Sequence, residues 1–377
     1  MKKSTTKILL AHSSNDLYGA SKILINIIKL LISEGYKVYL FLPEKGPLNE
    51  NNIINKCNIE IVEFGVFRKR YFNFLGLINR LYFIIKSTFI IRSFILKNKI
   101  DLVYTNTSTL ISPTIASKLT AIPSIFHIHE IPVSSKLYTK FLVAFFNIFS
   151  NKVISVSNSV RNYWIDNGLI KEKVITIYNG FSFNFKTEKK LINSDLVFSN
   201  ISRIIPYKGH LFLIDLFYEL SKYKNDLILN IIGDTLPSYE SYHDKLKEKV
   251  SKYNLEKNIR FLGFKPNISE ILKKSNFLIH CPTSPDPLPT VIFEAIESET
   301  PVIFTNMGGS YEILDSGKNG LTINHLSVKK SVESILKFID NTFEQEKNIK
   351  NAKSFVEKNF QMSSFNHSLK TLISKIV

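Results

Sequence analysis

The feature that most constrains the fold of this chain is a regular alternation of short apolar stretches with helical segments. This alternation predicts parallel βαβ units, because two parallel neighbouring strands need a crossover connection and a helix usually supplies it. It therefore predicts an α/β protein, in which open sheets carry helices on both faces. The predicted strands are residues 7–12, 36–43, 101–106, 124–130 and 152–157, and then 196–203, 227–233, 259–264, 277–282 and 300–306.

The two series of strands predict two domains. A chain of 377 residues exceeds what one hydrophobic core usually supports, and the polar, basic stretch 181–195 separates the two series. We expect one Rossmann-like domain at 1–185 and a second at 186–359. Ligands of such sheets bind beyond the carboxyl ends of the strands, so two facing sheets would define a cleft between the domains.

Cysteine usage and the start of the sequence indicate a cytoplasmic protein. The two cysteines, Cys57 and Cys281, cannot form a disulfide framework and have no metal-ligand spacing. The apolar run near the start, from Ile8 to Ala11, is too short for a signal peptide.

The net charge of +17 is concentrated in the first half of the chain. Residues 1–190 carry a net charge of +15 and residues 191–377 carry only +2. Residues 64–100, which we call the basic segment, contain eight basic and nine aromatic residues and no acid. Basic residues interrupt this segment too often for a membrane span, and an apolar stripe along it is predicted to pack in the core. The stripe consists of Tyr71, Ile78, Tyr82, Ile85, Phe89 and Leu96.

The basic segment and a similar range at 136–152 favour contact with an anionic surface. Basic and aromatic side chains together suit the headgroup layer of an anionic membrane. Nucleic acid is an alternative partner, although no nucleic-acid motif accompanies these residues. A merely solvated basic face is the third interpretation.

Two cations follow the first strand of the second series. Arg203 and Lys208 flank a proline turn and precede a helical pattern. They can converge on one anion, since arginine binds phosphate as a planar fork and lysine as a compact point charge. Two solvated loop cations are the alternative.

Two carboxylates, Asp286 and Glu294, stand eight positions apart around a pair of prolines. Pro287 disfavours helix at Asp286, so that Thr290 is the candidate first-turn residue of a helix containing Glu294. The start of a helix presents free N–H groups and a positive dipole end, which suits a diphosphate. A proline-rich loop with a buried capping acid is the alternative.

The stretch 127–130 and a single glycine at Gly19 are weaker signals. His129 and Glu130 fall at the carboxyl end of a predicted strand, where function concentrates in such sheets, and His127 shares the face of His129. No third ligand has the spacing of a metal site, and a structural histidine is the alternative. Gly19 lies in the first turn between strand and helix, but one glycine is little evidence for a phosphate loop.

These pieces together resemble the retaining glycosyltransferases of family 4, which have the GT-B fold. The resemblance covers nearly the whole chain and is strongest from Ser202 to Leu321. The family signature is a Glu, seven residues, and a second Glu followed by Ala and, after a short gap, Pro-Val-Ile. The matching residues here are Asp286, Glu294, Ala295 and Pro301 to Ile303, with Arg203, Lys208-Gly209, Gly308-Gly309 and Glu312 at the family's other motif positions.

The resemblance implies a role for each candidate residue. Arg203 and Lys208 neutralise the donor diphosphate as it leaves, and Thr290 contributes to the same phosphate-facing turn. Glu294 holds the nucleotide ribose, and Asp286, where the family usually has Glu, faces the donor sugar. His129 lies beside that sugar and Gly19 lies near the phosphates. The resemblance implies no metal ion and no other cofactor, and a C-terminal helix at about 360–377 that packs back on the first domain.

The predicted function is transfer of a sugar, with retention, from a nucleotide diphosphate donor that is expected to be a UDP-sugar. The expected acceptor is a glycan or lipid-linked glycan in surface polysaccharide synthesis, at the inner face of the plasma membrane. The alternatives are a sugar-nucleotide epimerase or hydrolase of similar fold and a non-catalytic, basic nucleic-acid-binding protein.

Overall fold

The computed structural model describes residues 5–17, 19–66, 73–132, 136–185, 195–236 and 238–377. The chain forms two compact units. The first unit comprises Met1–Gly180 together with Met362–Val377, and the second comprises Phe181–Gln361. Each unit has its own parallel sheet and its own core.

The first unit is built on a seven-stranded parallel sheet of order β3-β2-β1-β4-β5-β6-β7. The chain runs outward from β1 to β3 and then returns to place β4 on the other side of β1. The carboxyl ends of β1 and β4 therefore flank the point where the strand order reverses, which is where ligands of such sheets bind. The strands are β1 Lys7–Ala11, β2 Lys37–Leu42, β3 Asn58–Ile61, β4 Leu102–Thr105, β5 Ser124–Ile128, β6 Lys152–Ser155 and β7 Val174–Thr176.

Helices cover both faces of this sheet and close two layers of core. One layer contains apolar residues of the helix Gly19–Ser33 and of the C-terminal helix Met362–Ser374. The other contains Ile91 and Ile95 of the helix Phe74–Asn98. The helices are α1 Gly19–Ser33, α2 Phe74–Asn98, α3 Ser112–Leu119, α4 Lys136–Phe149 and α5 Asn158–Asp166, with α13 Met362–Ser374 at the end of the chain.

The second unit is built on a six-stranded parallel sheet of order β10-β9-β8-β11-β12-β13. Its strand order reverses between β8 and β11. The strands are β8 Leu196–Ile201, β9 Leu227–Ile232, β10 Ile259–Gly263, β11 Phe277–His280, β12 Val302–Thr305 and β13 Leu321–Ile323. The helices are α6 His210–Leu220, α7 Glu240–Lys252, α8 Ile268–Lys273, α9 Thr290–Glu297, α10 Gly309–Ile313, α11 Val328–Ile339 and α12 Thr342–Asn359.

All ten predicted strands are confirmed, with ends that differ by one or two residues. Three strands were missed, β3, β7 and β13, and each lies at an edge of its sheet. They have three or four residues, and β3 has no fully buried residue. Such strands leave no continuous apolar run in the sequence.

The predicted core stripe of the basic segment is wrong. Ile78, Tyr82, Ile85, Phe89 and Leu96 are all exposed on α2, and Tyr71 lies outside the described residues. The residues that pack are Ile84, Ser87, Thr88, Ile91 and Ile95. Both faces of α2 are rich in apolar residues, so the helical period alone does not tell which face contacts the core.

The basic residues do not interrupt the segment as often as the argument against a membrane span required. Among the described residues, α2 is the one helix that is long and apolar enough to cross a membrane, by length and composition only. Only 22% of its most apolar stretch is buried in the protein. The buried face of α2 nevertheless belongs to the core of the first unit.

Candidate active sites

The predicted donor-binding residues of the second unit lie on the two loops where its strand order reverses. Arg203 and Lys208 lie on the loop after β8, and Asp286 lies on the loop after β11. These two strands are hydrogen-bonded neighbours. Thr290 is the first residue of α9 and Glu294 lies one turn further along it. Sheet topology therefore brings two segments of the second unit that are nearly 80 residues apart to one edge.

Lys208 and Asp286 form an ion pair between the two loops. The Lys208 Nζ donates a hydrogen bond to Asp286 Oδ2, and both side chains are mostly buried. His280, the last residue of β11, places its Nε2 3.2 Å from the same carboxylate oxygen. The predicted sugar-facing acid is thus in contact with one of the predicted phosphate-binding cations.

The charges around Asp286 keep its carboxylate ionised. Burial alone would raise the pKa of Asp286, but Lys208 and His280 outweigh it and lower the pKa below its ordinary value. Burial lowers the pKa of His280, although Asp286 partly opposes this shift. At neutral pH the group therefore consists of one ammonium, one carboxylate and a neutral imidazole.

Glycines let the surrounding backbone come close enough to hold Asp286 in place. Gly308 has φ +70°, and a Cβ at this position would lie 2.1 Å from the carbonyl oxygen of Asp286. The next residue, Gly309, donates its N–H to the same oxygen at 2.7 Å. Gly209, next to Lys208, also allows a close approach of two backbone segments, because a Cβ there would lie 1.9 Å from the carbonyl oxygen of Cys281. The glycines of the family pattern thus serve to position the two loops.

The helix start predicted at Thr290 is confirmed. Pro289 is the N-cap of α9 and accepts a hydrogen bond from Ile292 N at 3.2 Å. The first N–H groups of a helix have no preceding carbonyl to bind, so they are available to a ligand at this end. Glu294 is half-buried and Arg203 is exposed.

In the first unit, three polar residues follow three adjacent strands. His12 follows β1, Asn106 follows β4 and His129 follows β5. The His129 Nε2 lies 2.8 Å from Asn106 Oδ1, and the Asn106 amide nitrogen lies 3.2 Å from His12 Nδ1. The predicted site residue His129 is therefore one member of a hydrogen-bonded group at the carboxyl edge of the sheet.

Glu130 and His127 support this edge from within the protein. Glu130 accepts hydrogen bonds from the hydroxyls of Thr107 and Ser108, both at 3.0 Å, and so ties the loop after β5 to the loop after β4. Burial raises the pKa of Glu130 against the opposing effect of these hydrogen bonds. The His127 ring lies 4.2 Å from that of His129, as expected for residues on one face of a strand.

Burial favours the neutral form of two histidines at this edge, His127 and His129. Burial lowers the pKa of His127 to about 3. It lowers the pKa of His129 as well, and the neighbouring His127 and His12 act in the same direction. His129 is therefore suited to neutral hydrogen bonding at physiological pH.

Gly19 is the first residue of α1 and is exposed. A Cβ at this position would meet no atom within 4 Å. Packing within the protein therefore does not require glycine here, in contrast to Gly308 and Gly209. Among the described residues, no group of three histidine, cysteine or acidic side chains could hold a metal ion.

Three residues of these sites were not found from the sequence, namely His12, Asn106 and His280. Each lies at or directly after the last residue of a buried strand. The signal that could have found them is a polar residue that closes an apolar run. Among the predicted site residues, His129 and Glu130 carry the same signal.

Two family models match successive parts of the chain. Residues 18–185 match the model for Glycosyltransferase Family 4, and residues 182–355 match the model for Glycosyl transferases group 1. Together the two models span both sheets. The chain belongs to the family 4 glycosyltransferases.

Relatives of this glycosyltransferase include a galactosyltransferase and a capsular polysaccharide biosynthesis enzyme. It is 24% identical over 365 residues to the UDP-Gal:alpha-D-GlcNAc-diphosphoundecaprenol alpha-1,3-galactosyltransferase of Escherichia coli, and the match covers 90% of each chain. It is 31% identical over 184 residues to the capsular polysaccharide biosynthesis glycosyltransferase CapH of Staphylococcus aureus. That match covers 47% of this chain and 49% of CapH.

Solved structures show that this glycosyltransferase has the GT-B fold. Anabaena Alr3699/HepE in complex with UDP and glucose superimposes with a TM-score of 0.80 at 23% identity, covering 98% of this chain and 99% of that one. The apo form of the lipopolysaccharide outer core galactosyltransferase WaaB superimposes with a TM-score of 0.73 at 16% identity, covering 98% and 100%. The predicted fold of two Rossmann-like domains is therefore confirmed.

Proposed function

We propose that this glycosyltransferase transfers a sugar from a UDP-sugar to a glycan or lipid-linked glycan acceptor, with retention at the anomeric carbon. The observation that carries the proposal is the edge of the second unit where the strand order reverses. Arg203, Lys208, Asp286, Thr290 and Glu294 all lie on the loops or the helix that begin there. A sheet of this kind binds its ligand at such a point.

The relatives support both substrates. HepE has been crystallised with UDP and with UDP-glucose, and the Escherichia coli relative uses UDP-Gal and a diphosphoundecaprenol-linked acceptor. CapH is a capsular polysaccharide enzyme. We therefore place this chain in surface polysaccharide synthesis, where acceptors of that chemistry occur. Retention rests on the resemblance to the retaining enzymes of the family.

In the proposed mechanism, the protein accelerates the reaction mainly by stabilising the charge that develops in the transition state. As the bond between the sugar and the diphosphate breaks, negative charge develops on the leaving oxygen. Arg203, Lys208 and the N–H groups at the start of α9 stabilise this charge, which is the term that usually dominates such catalysis. Two side-chain cations and a helix N-terminus fit a diphosphate that needs no metal ion.

The two acids have separate tasks in this mechanism. Asp286 remains ionised between Lys208 and His280, so it can accept hydrogen bonds from hydroxyls of the donor sugar. When a diphosphate binds Lys208, the Asp286 carboxylate loses part of its contact with Lys208 and forms hydrogen bonds with the donor sugar instead. Glu294, one turn inside α9, accepts hydrogen bonds from the ribose hydroxyls.

We further propose that the first unit rests on an anionic membrane from the cytoplasmic side. The outer face of α2 is exposed and apolar, and Arg80, Lys86, Arg92 and Lys97 lie along the same helix. Helix α4 also has exposed apolar residues, namely Leu137, Phe141 and Ile148. An apolar face mixed with cations suits the interface between headgroups and acyl chains, where a lipid-linked acceptor is found.

The proposal is tested by measuring release of UDP from a panel of UDP-sugars, with and without undecaprenyl-diphosphate-linked acceptors. We expect release that depends on the acceptor and a product whose anomeric configuration, read by proton NMR, equals that of the donor. Release without acceptor would indicate a hydrolase, and isomerised donor would indicate an epimerase. A product with the opposite anomeric configuration would contradict retention but not sugar transfer itself.

A further inference from the structure

The hydrogen bonds around Asn106 determine which way its amide points. Its amide nitrogen donates to the carbonyl oxygen of Ala20 at 3.2 Å. A flipped amide would place Oδ1 against that carbonyl, which can only accept. The Oδ1 therefore faces His129, 2.8 Å from its Nε2. An oxygen that accepts requires a donor opposite, so His129 Nε2 carries the proton.

A chain of hydrogen bonds also connects Asp16 to Asn106 through Ser21 and His12. The Ser21 hydroxyl donates to Asp16 Oδ1 at 2.7 Å, so Ser21 Oγ accepts from His12 Nε2, 3.0 Å away. The His12 Nδ1 lies between two groups of Asn106, 3.2 Å from its amide nitrogen and 3.1 Å from its backbone carbonyl oxygen. The bond from the Asn106 amide nitrogen to the carbonyl oxygen of Ala20 is therefore what orients the amide and places the proton on His129 Nε2.

We propose that Asn106 is a positioning residue that holds His129 in its neutral, Nε2-protonated form and so leaves Nδ1 as an acceptor for a substrate hydroxyl. The inference rests on the proposed function, because it needs a sugar substrate at this edge of the first unit. Among the described residues, His129 Nδ1 has no hydrogen-bond partner, and the side chain is half-buried. Asn106 itself is fully buried, so it acts through His129 and not by touching the substrate.

The first experiment reads the tautomer directly. Long-range ¹H–¹⁵N NMR of protein labelled at histidine distinguishes protonated from unprotonated ring nitrogens, and His129→Gln assigns the signal. We expect Nε2–H in the wild type and a mixture of tautomers in Asn106→Ala. Protonated Nδ1 in the wild type, or an unchanged signal in Asn106→Ala, would overturn the positioning role whether or not the enzyme turns over.

The second experiment measures transfer. Asn106→Ala should lower kcat/KM at least about tenfold, the size expected of one lost hydrogen bond. The matched control is Asn147→Ala, because Asn147 also bridges two backbone groups of the first unit, at Gly168 and Ile170, away from this edge. Thermal unfolding of both variants separates lost folding from lost positioning. Transfer at the wild-type level in Asn106→Ala, despite mixed tautomers, would overturn the acceptor role of Nδ1.

Asn106→Asp supplies a pH signature that a structural role would not produce. Its carboxylate still accepts from His129 Nε2 but also stabilises the charged ring, so the pKa of His129 rises. Protonation removes the Nδ1 lone pair, and the acid limb of kcat/KM should move to higher pH. The other titratable groups facing His129 are His127, His12 and Glu130, and Asp16 acts through Ser21. An unmoved acid limb would count against the proposal. A wild type that is inactive on every UDP-sugar would reject the proposed function and leave the NMR result standing.

Discussion

Lys208 reaches from the loop after β8 to the Asp286 carboxylate in the loop after β11, and His280 lies 3.2 Å from the same oxygen. Both partners of the ion pair are mostly buried. A buried carboxylate that loses its cation keeps its desolvation cost without compensation. The pair therefore connects the stability of the second unit to the residues proposed to bind the donor.

Removal of one partner of this pair should be more harmful to stability than removal of both. We expect Lys208→Ala to lower the free energy of unfolding by about 1–3 kcal/mol and the double variant with Asp286→Asn to recover part of it. Urea unfolding of the two single variants and the double variant measures the coupling. Additive effects would mean that the pair does not contribute to stability in solution.

The pair should also make stability depend on pH at the acid end. The pKa of Asp286 is below its ordinary value in the folded protein and returns to about 3.9 on unfolding. A depressed folded pKa gives stability that is complete above about pH 4 and is lost as the pH falls further. Unfolding curves of Asp286→Asn should show a smaller decline below about pH 4 than those of the wild type. Parallel declines would show that other carboxylates control acid unfolding.

Substitutions of Glu294 and Asp286 should have different effects on the binding of UDP measured by calorimetry. Glu294→Gln should weaken the binding of UDP itself, because the ribose contact is lost. Asp286→Asn should preserve UDP binding and impair transfer, because its contacts are with the sugar. Arg203→Ala should weaken UDP binding and transfer together, at a cost of about 2–4 kcal/mol in the transition state. The opposite pattern for the two acids would exchange their roles.

Two glycines should respond differently to the same substitution. Gly308→Ala places a Cβ 2.1 Å from the Asp286 carbonyl oxygen in a left-handed backbone, so it should destabilise the second unit and abolish transfer. Gly19→Ala meets no protein atom within 4 Å and should unfold at the wild-type temperature. If Gly19 lies near the donor phosphates, Gly19→Ala lowers the affinity for the donor and leaves the unfolding temperature unchanged. Unchanged KM for the donor would remove Gly19 from the site.

Vesicle flotation tests the membrane proposal with a matched pair. Phe74 on α2 is 78% exposed, and Phe343 on α12 of the second unit is 77% exposed. Phe74→Ser should weaken binding to vesicles containing anionic lipid, whereas Phe343→Ser should not. Binding should weaken as salt rises, and neutralising Arg68, Lys69 and Arg70, which lie outside the described residues, is still predicted to weaken it. Equal recovery with neutral and anionic vesicles would reject electrostatic docking.

The sequence predicted most of the fold because buried parallel strands are continuous apolar runs. The missed strands β3, β7 and β13 are short edge strands, whose pairing depends on a neighbour that the local sequence does not contain. The stripe on α2 was predicted to be buried but is exposed, because both faces of the helix are rich in apolar residues. Which face contacts α3 and the sheet is decided by the tertiary structure.

The candidate site was predictable only where a family motif or a single strand end marked it. Lys208 and Asp286 were found separately, but their ion pair depends on β8 and β11 being neighbours, which chain order does not reveal. The local signal at Asn106, a polar residue that closes an apolar run, is weak, since asparagine is common in loops after strands. Its contacts depend on His12 and His129, which follow the two neighbouring strands.

Because helix α13 is part of the first unit, folding of that unit depends on the last residues to be synthesised. Phe365, Leu369, Leu372 and Ile373 belong to the same core layer as β1 and α1 of the first unit. Domains generally fold as units while the chain is being made. The second unit is continuous in sequence and is complete once Gln361 has left the ribosome. The first unit is begun earlier but is finished last, when the residues after Met362 emerge and cover its exposed core.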